Sequence, residues 1–155
     1  MIRRTLALSL CIFVLTLAAF SADAKKSAGP APDKAYLQRL LDGWNSMDPS
    51  VMTQYYAQGD RLFFDIAPLK YNNWTEYQNG VTALFKNYKS FKLSMTDDVQ
   101  IHHEGDMAWA GAVLKEEATT STGKQEMATM RWTVIFQKMD GKWLIVHEHT
   151  SEAIQ

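Results

Sequence analysis

The sequence predicts an α+β domain in which helices precede an antiparallel sheet and are segregated from it. Three observations carry this. Apolar residues recur at helical spacing in the first half, β-rich character takes over after Ser90, and three turn signals divide the remainder into four long stretches.

The chain has 155 residues, and its start reads as a targeting segment. Arg3 and Arg4 supply a basic start, Leu6 to Phe20 an apolar stretch, and Ala22-Asp23-Ala24 a small-x-small cleavage signature. Residues 1–24 are therefore expected to be a secretory signal peptide, cut after Ala24, because the apolar stretch falls short of the ~20 residues that span a bilayer. The protein is expected to be exported, to a periplasmic or extracellular setting. Residues 25–32 (KKSAGPAP) read as a flexible leader, and residues 33–155 as one domain large enough to bury its own core.

The only cysteine, Cys11, would leave with the signal, so packing rather than a disulfide must stabilise the mature chain. Charge excludes more than it selects. Sixteen basic residues less Arg3 and Arg4, against seventeen acidic less Asp23, leave the mature chain formally at −2. No basic patch points to nucleic acid, and no other apolar run could span a membrane.

Asp33 can cap a first helix, with Leu37, Leu40, Leu41, Trp44 and Met47 on one face. Asp48-Pro49 places a cap before a proline at the first helical position, so a second short helix should run to about Ala57. Arg61 to Ile66 is a strand candidate ended by Pro68. Asn72-Asn73 opens a third helix, along which Trp74, Tyr77, Val81, Leu84, Phe85 and Tyr88 share a face. The four strands are expected at 91–103, 106–119, 125–138 and 142–150. The turns between them are Glu104-Gly105-Asp106, Ser121 to Lys124, and Met139-Asp140-Gly141.

Strict alternation sorts the last hairpin into two faces. Trp132, Val134, Phe136, Leu144, Val146, Glu148 and Thr150 form the more apolar set and are expected to face the helices. Arg131, Thr133, Ile135, Gln137, Trp143, Ile145, His147, His149 and Ser151 mix apolar with polar groups, which suits a subunit interface. A homodimer is expected through this second face, with Arg131, Ile135, Trp143, Ile145, His147 and His149. A β-bulge would reverse the assignment locally.

The order and spacing of several strings resemble the nuclear transport factor 2-like superfamily, specifically its SnoaL-like branch. The resemblance runs from about Asp33 to Ser151. It is carried by Phe64-Asp65-Ile66-Ala67-Pro68 followed by Trp74, by Gly105-Asp106-Met107-Ala108-Trp109, and by Asp140-Gly141-Lys142-Trp143 leading into His147-Glu148-His149-Thr150-Ser151. The last string is also similar to the end of the association domain of calcium/calmodulin-dependent protein kinase II. The resemblance implies a cone, a strongly curved antiparallel sheet wrapped around N-terminal helices with a pocket at its open end, and frequent dimerisation through the sheet. It implies no single reaction, since the superfamily includes isomerases, dehydratases, cyclases, hydrolases and non-catalytic modules. The kinase domain lines its pocket with arginines; Leu114, Val134 and Thr150 stand at the matching positions here, so that carboxylate-binding pocket does not carry over.

Asp65 and Glu148 are the candidate acid–base residues. Each sits in an apolar strand, where desolvation raises a carboxyl pKa toward neutrality. Asp65 could instead bond backbone in the turn toward Pro68, and Glu148 could pair with an arginine or lie solvated at a strand end. Tyr55, Tyr56, Tyr71, Trp74, Tyr77 and Trp132, with Asp65 and Glu148, could line an apolar cavity with polar tips, the usual make-up of a small-molecule pocket; simple core packing is the competing role for each ring. Trp109 and Trp143 fit sheet packing or the interface.

No metal is expected. His147 and His149 form an H-x-H pair, but His102 and His103 point to opposite faces, so at most one could complete a site. No cofactor motif, phosphate loop or nucleophile elbow is present. The expected ligand is a small apolar or aromatic organic molecule. Binding without turnover is the leading expectation. The alternative is a cofactor-free isomerase, dehydratase or hydrolase using a pocket carboxylate. A raised carboxyl beside an open cavity would favour the enzyme, and a cavity without that shift the binder.

Overall fold

A computed structural model describes residues 29–66 and 68–153. The signal peptide read at 1–24 lies outside the described residues, as do residues 25–28 of the leader. Helix α1 spans Lys34–Asn45, and the Asp33 side chain accepts from the backbone N–H of Tyr36 at 2.7 Å, so the expected cap is in place. Leu37, Leu40, Leu41 and Trp44 form its buried stripe. The second helical segment is shorter and tighter than expected, a 3-10 helix over Pro49–Gln54 with Pro49 at its start. Strand β1 covers Asp60–Phe64 and β2 Tyr71–Asn73. Asn73 ends β2 and caps α2, Trp74–Phe85, its side chain accepting from the Glu76 N–H at 2.9 Å.

Four long strands follow: β3 Tyr88–Glu104, β4 Met107–Thr120, β5 Gln125–Met139 and β6 Lys142–Glu152. They form one six-stranded sheet in the order β2-β1-β6-β5-β4-β3. The meander is antiparallel as expected. However, β1 joins β6 in parallel, with Phe63 opposite Glu148, which makes the whole sheet mixed and puts β6 in its interior. Register shifts between Met95 and Val99 of β3 and between Ile135 and Phe136 of β5 bend the strands around the helices. The end of α1 is fixed to β3 by Asn45, whose amide donates to the Leu93 carbonyl at 3.0 Å and accepts from its N–H at 2.6 Å.

The β5–β6 register corrects the two-face assignment. Ile135 pairs with His147 and Phe136 with Ile145, so Val146 is an extra residue on β6. Beyond the bulge, Glu148 is buried opposite Val134, while His147 and His149 lie on the outer face. Before it, alternation is reversed. Trp143 and Ile145, expected at a subunit interface, are 7% and 0% exposed and belong to the protomer's own core, while Leu144 faces outward opposite Gln137. The N–H of Ile145 donates to the Tyr55 carbonyl and its carbonyl accepts from Ala57, which ties the segment after the 3-10 helix to the sheet.

Candidate functional site

A cavity of about 560 Å³ lies between the two α-helices and the concave face of the sheet. Helix α1 supplies Leu41 and Trp44. Helix α2 supplies Tyr77, Val81, Leu84 and Phe85 from its single apolar face. Strands β3 to β6 supply the opposite wall, including Phe91, Leu114, Met130, Trp132, Glu148 and Thr150. Asp65 and Ile66, just past the end of β1, close one side.

Glu148 is the one buried acid among the described residues, at 2% exposure. Its placement follows from the sheet: β5 flanks it on one side and β1 on the other, so both backbone edges of β6 are paired there. One carboxylate oxygen accepts from the Tyr56 hydroxyl and the other from the Trp132 indole N–H. Both donors are neutral, and no ion pair reaches Glu148 among the described residues. Burial therefore pushes the carboxyl up from the ordinary glutamate range to about 7. The hydrogen bonds from Tyr56 and Trp132 pull the other way, and the charge of Asp65 adds to the rise. Near neutral pH such a group is divided between acid and conjugate base, the condition for giving or taking a proton.

Asp65 is half-buried, and one of its oxygens accepts from the Ile66 N–H at 2.8 Å. Burial raises its carboxyl, and that backbone bond lowers it. Burial, followed by the charge of Glu148, holds the Tyr56 hydroxyl well above the usual tyrosine range, so it stays a donor.

Of the eight residues proposed for the pocket, Asp65, Tyr77, Trp132 and Glu148 line the cavity. Three more stand behind it. Tyr56 bonds Glu148 and stacks on Trp74 at 4.2 Å, Trp74 donates to the Thr53 hydroxyl at 3.2 Å, and Tyr71 stacks on Tyr77 at 4.9 Å. These rings set the position of the cavity floor rather than its surface. Tyr55 is elsewhere: it lines a separate depression with Tyr36, Arg39 and Trp143, because the chain crosses to β6 between Tyr55 and Ala57. The sequence reading missed Trp44 and Glu116 as lining residues, whereas Leu114 and Thr150, placed at pocket positions by the resemblance, do line the cavity. The parity of β4, with Leu114 and Glu116 two apart, could have found Glu116.

The histidines are engaged outside the cavity. His147 shares a hydrogen bond with the Leu62 carbonyl and His103 with that of Pro32, both at 2.7 Å, and His102 stacks on Trp109 at 4.1 Å. No group of three metal-ligating side chains gathers among the described residues.

A curved sheet wrapped on N-terminal helices, with a cavity between them, is the nuclear transport factor 2-like cone fold. Within it, residues 34–155 match the model of the SnoaL-like domain, and the chain belongs to that family. Solved structures agree on the fold. A nuclear transport factor 2-like superfamily protein from Salmonella enterica serovar Typhimurium aligns over 77% of this chain and 87% of its own at 21% identity, with a TM-score of 0.70. A candidate scytalone dehydratase from Novosphingobium aromaticivorans aligns over 76% and 79% at 8% identity, TM-score 0.68. The association domain of calcium/calmodulin-dependent protein kinase II from C. elegans aligns over 76% and 90% at 18% identity, TM-score 0.60. No curated protein matches the sequence.

Proposed function

We propose that this protein binds a small apolar or aromatic organic molecule in the cone cavity and moves a proton on it without a cofactor, as an isomerase, dehydratase or hydrolase would. Glu148 is the acid–base group and Asp65 the second carboxyl at the site. One observation carries the reading: a buried carboxyl, raised to about 7, forms part of the wall of an open cavity. An apolar ligand body would lie along Leu41, Val81, Phe85 and Leu114, with its reacting end toward Glu148. Glu148 would take a proton from one position and return it to another, ending in its starting state.

Binding without turnover is the second reading. It is favoured by the fact that both oxygens of Glu148 already accept a hydrogen bond. Export with removal of residues 1–24, and a homodimer through the outer sheet face around Arg131, Ile135, His147 and His149, belong to the same proposal.

Native mass spectrometry of protein purified from its own compartment tests these claims together. The expected species is a dimer of chains beginning at Lys25 that retains a small molecule. Incubating the retained molecule with the protein in D2O then separates enzyme from binder. Deuterium incorporation by the wild type, absent with Glu148→Gln, supports proton transfer. Equal incorporation with both leaves only binding.

A further inference from the structure

The charges around the cavity are distributed unevenly. The whole chain is nearly balanced, with 16 basic and 17 acidic residues. The cavity wall is not: it carries five carboxyl groups, Asp65, Glu116, Glu126, Glu148 and Glu152, against one ammonium, Lys124. That ammonium is already committed to Glu126 at 3.0 Å, and Glu126 also accepts from the Tyr88 hydroxyl at 3.2 Å. The other four acids take no ion pair among the described residues.

Strand register brings two of them together. Leu114, Met130 and Glu152 form one row across β4, β5 and β6, and Glu116 with Ala128 forms the next. Burial raises the Glu116 carboxyl, and the charges of Glu152, Glu126 and Asp65 raise it further, so these acids feel one another across the cavity. The rest of the wall is rich in rings, with Trp44, Tyr77, Phe85, Phe91 and Trp132 presenting aromatic surface.

We infer that the cavity selects a small organic cation, an apolar or aromatic body carrying a protonated amine, over neutral and anionic molecules of the same shape. The inference rests on the cavity reading above and adds the charge of the ligand to it. Aromatic faces attract a cation through their quadrupole, and a partly desolvated set of uncompensated carboxylates attracts it more strongly. The same set repels a carboxylate or phosphate, which would also lose its hydration without gaining a free cation.

Calorimetric titration of the full protein at low salt with tryptamine, tryptophol and indole-3-acetate tests this, because the three share one ring system and differ in the charge of the side chain. Tryptamine is expected to bind about tenfold more tightly than tryptophol, with indole-3-acetate weakest. The double variant E116Q/E152Q, which leaves Asp65 and Glu148 untouched, should lower the ratio of tryptamine to tryptophol affinity severalfold, and an unchanged ratio would overturn the role of these acids. E117Q, the same change at an exposed residue outside the cavity, should leave the ratio unchanged. Tryptophol or indole-3-acetate binding as tightly as tryptamine would overturn the cation preference while leaving the pocket intact. An equal loss in E117Q would overturn it too, by tracing the effect to overall charge. Failure of all three to bind at millimolar concentration would overturn both the preference and the open pocket.

Discussion

Glu148 is held by two neutral donors instead of a cation, and this fixes how it couples to pH. Its carboxyl titrates at about 7 in the folded chain against an ordinary value of 4.5, so the folded state binds the proton more tightly. The stability it contributes is complete below about pH 4.5 and is lost as pH rises through 7, a difference of roughly 3 kcal/mol. Urea unfolding from pH 5 to 8 should therefore show wild-type stability falling relative to Glu148→Gln, whose amide can still accept from Trp132 and donate to the Tyr56 oxygen. Tyr56→Phe removes one donor from a buried acid, so it should cost about 1–2 kcal/mol at neutral pH. It should also move the pH midpoint of D2O exchange upward. At this scale the sequence was informative about identity and less so about role. An acid between Val146 and Thr150 on a strand was legible as a candidate. That Tyr56 would be its donor was not, because 92 residues separate the two and the chain is brought there by a single parallel bridge between Tyr56 and Ile145, ahead of β1.

Among the elements, β6 is where sequence alternation and structure part. Val146 carries no glycine or proline beside it to mark an irregularity, so a regular strand was the natural reading, and it assigned Trp143 and Ile145 to the wrong face. The structure makes this measurable. Ile145→Ala should cost 2–5 kcal/mol, as for any fully buried large aliphatic, and Leu144→Ala less than about 1, both read as urea midpoints. Strand β2 escaped notice for a different reason: its three residues end in the asparagine that caps α2, and the cap was the stronger signal. Helix α2 holds a second constraint at Gly80, where a Cβ would lie 2.2 Å from the Tyr71 hydroxyl and 2.5 Å from its ring. Gly80→Ala should destabilise despite the gain of about 1 kcal/mol in helix propensity, because Tyr71 must leave its stack on Tyr77. A change in near-UV circular dichroism would report that movement.

For the whole molecule, the helices, the four long strands and the turns between them were legible because each depends on local periodicity and on turn residues such as Asp140-Gly141, both at positive φ. The cavity was not, since the same rings either fill a cone or leave a void according to how their volumes sum. The outer face presents a row across four strands, His102, Trp109, Ile135 and His147, with Trp109 45% exposed. If two copies meet there, Ile135→Glu should halve the sedimenting mass while ligand binding inside the cone persists.

The bulge at Val146 also decides which kind of proton carrier the cone holds. Were β6 regular from Trp143 onward, His147 and His149 would point into the cone and Glu148 out of it, giving a floor of two imidazole rings in place of one carboxyl. One residue of added backbone gives an oxygen acid instead. The bulge, and not the composition of β6, decides which of these side chains the cone contains.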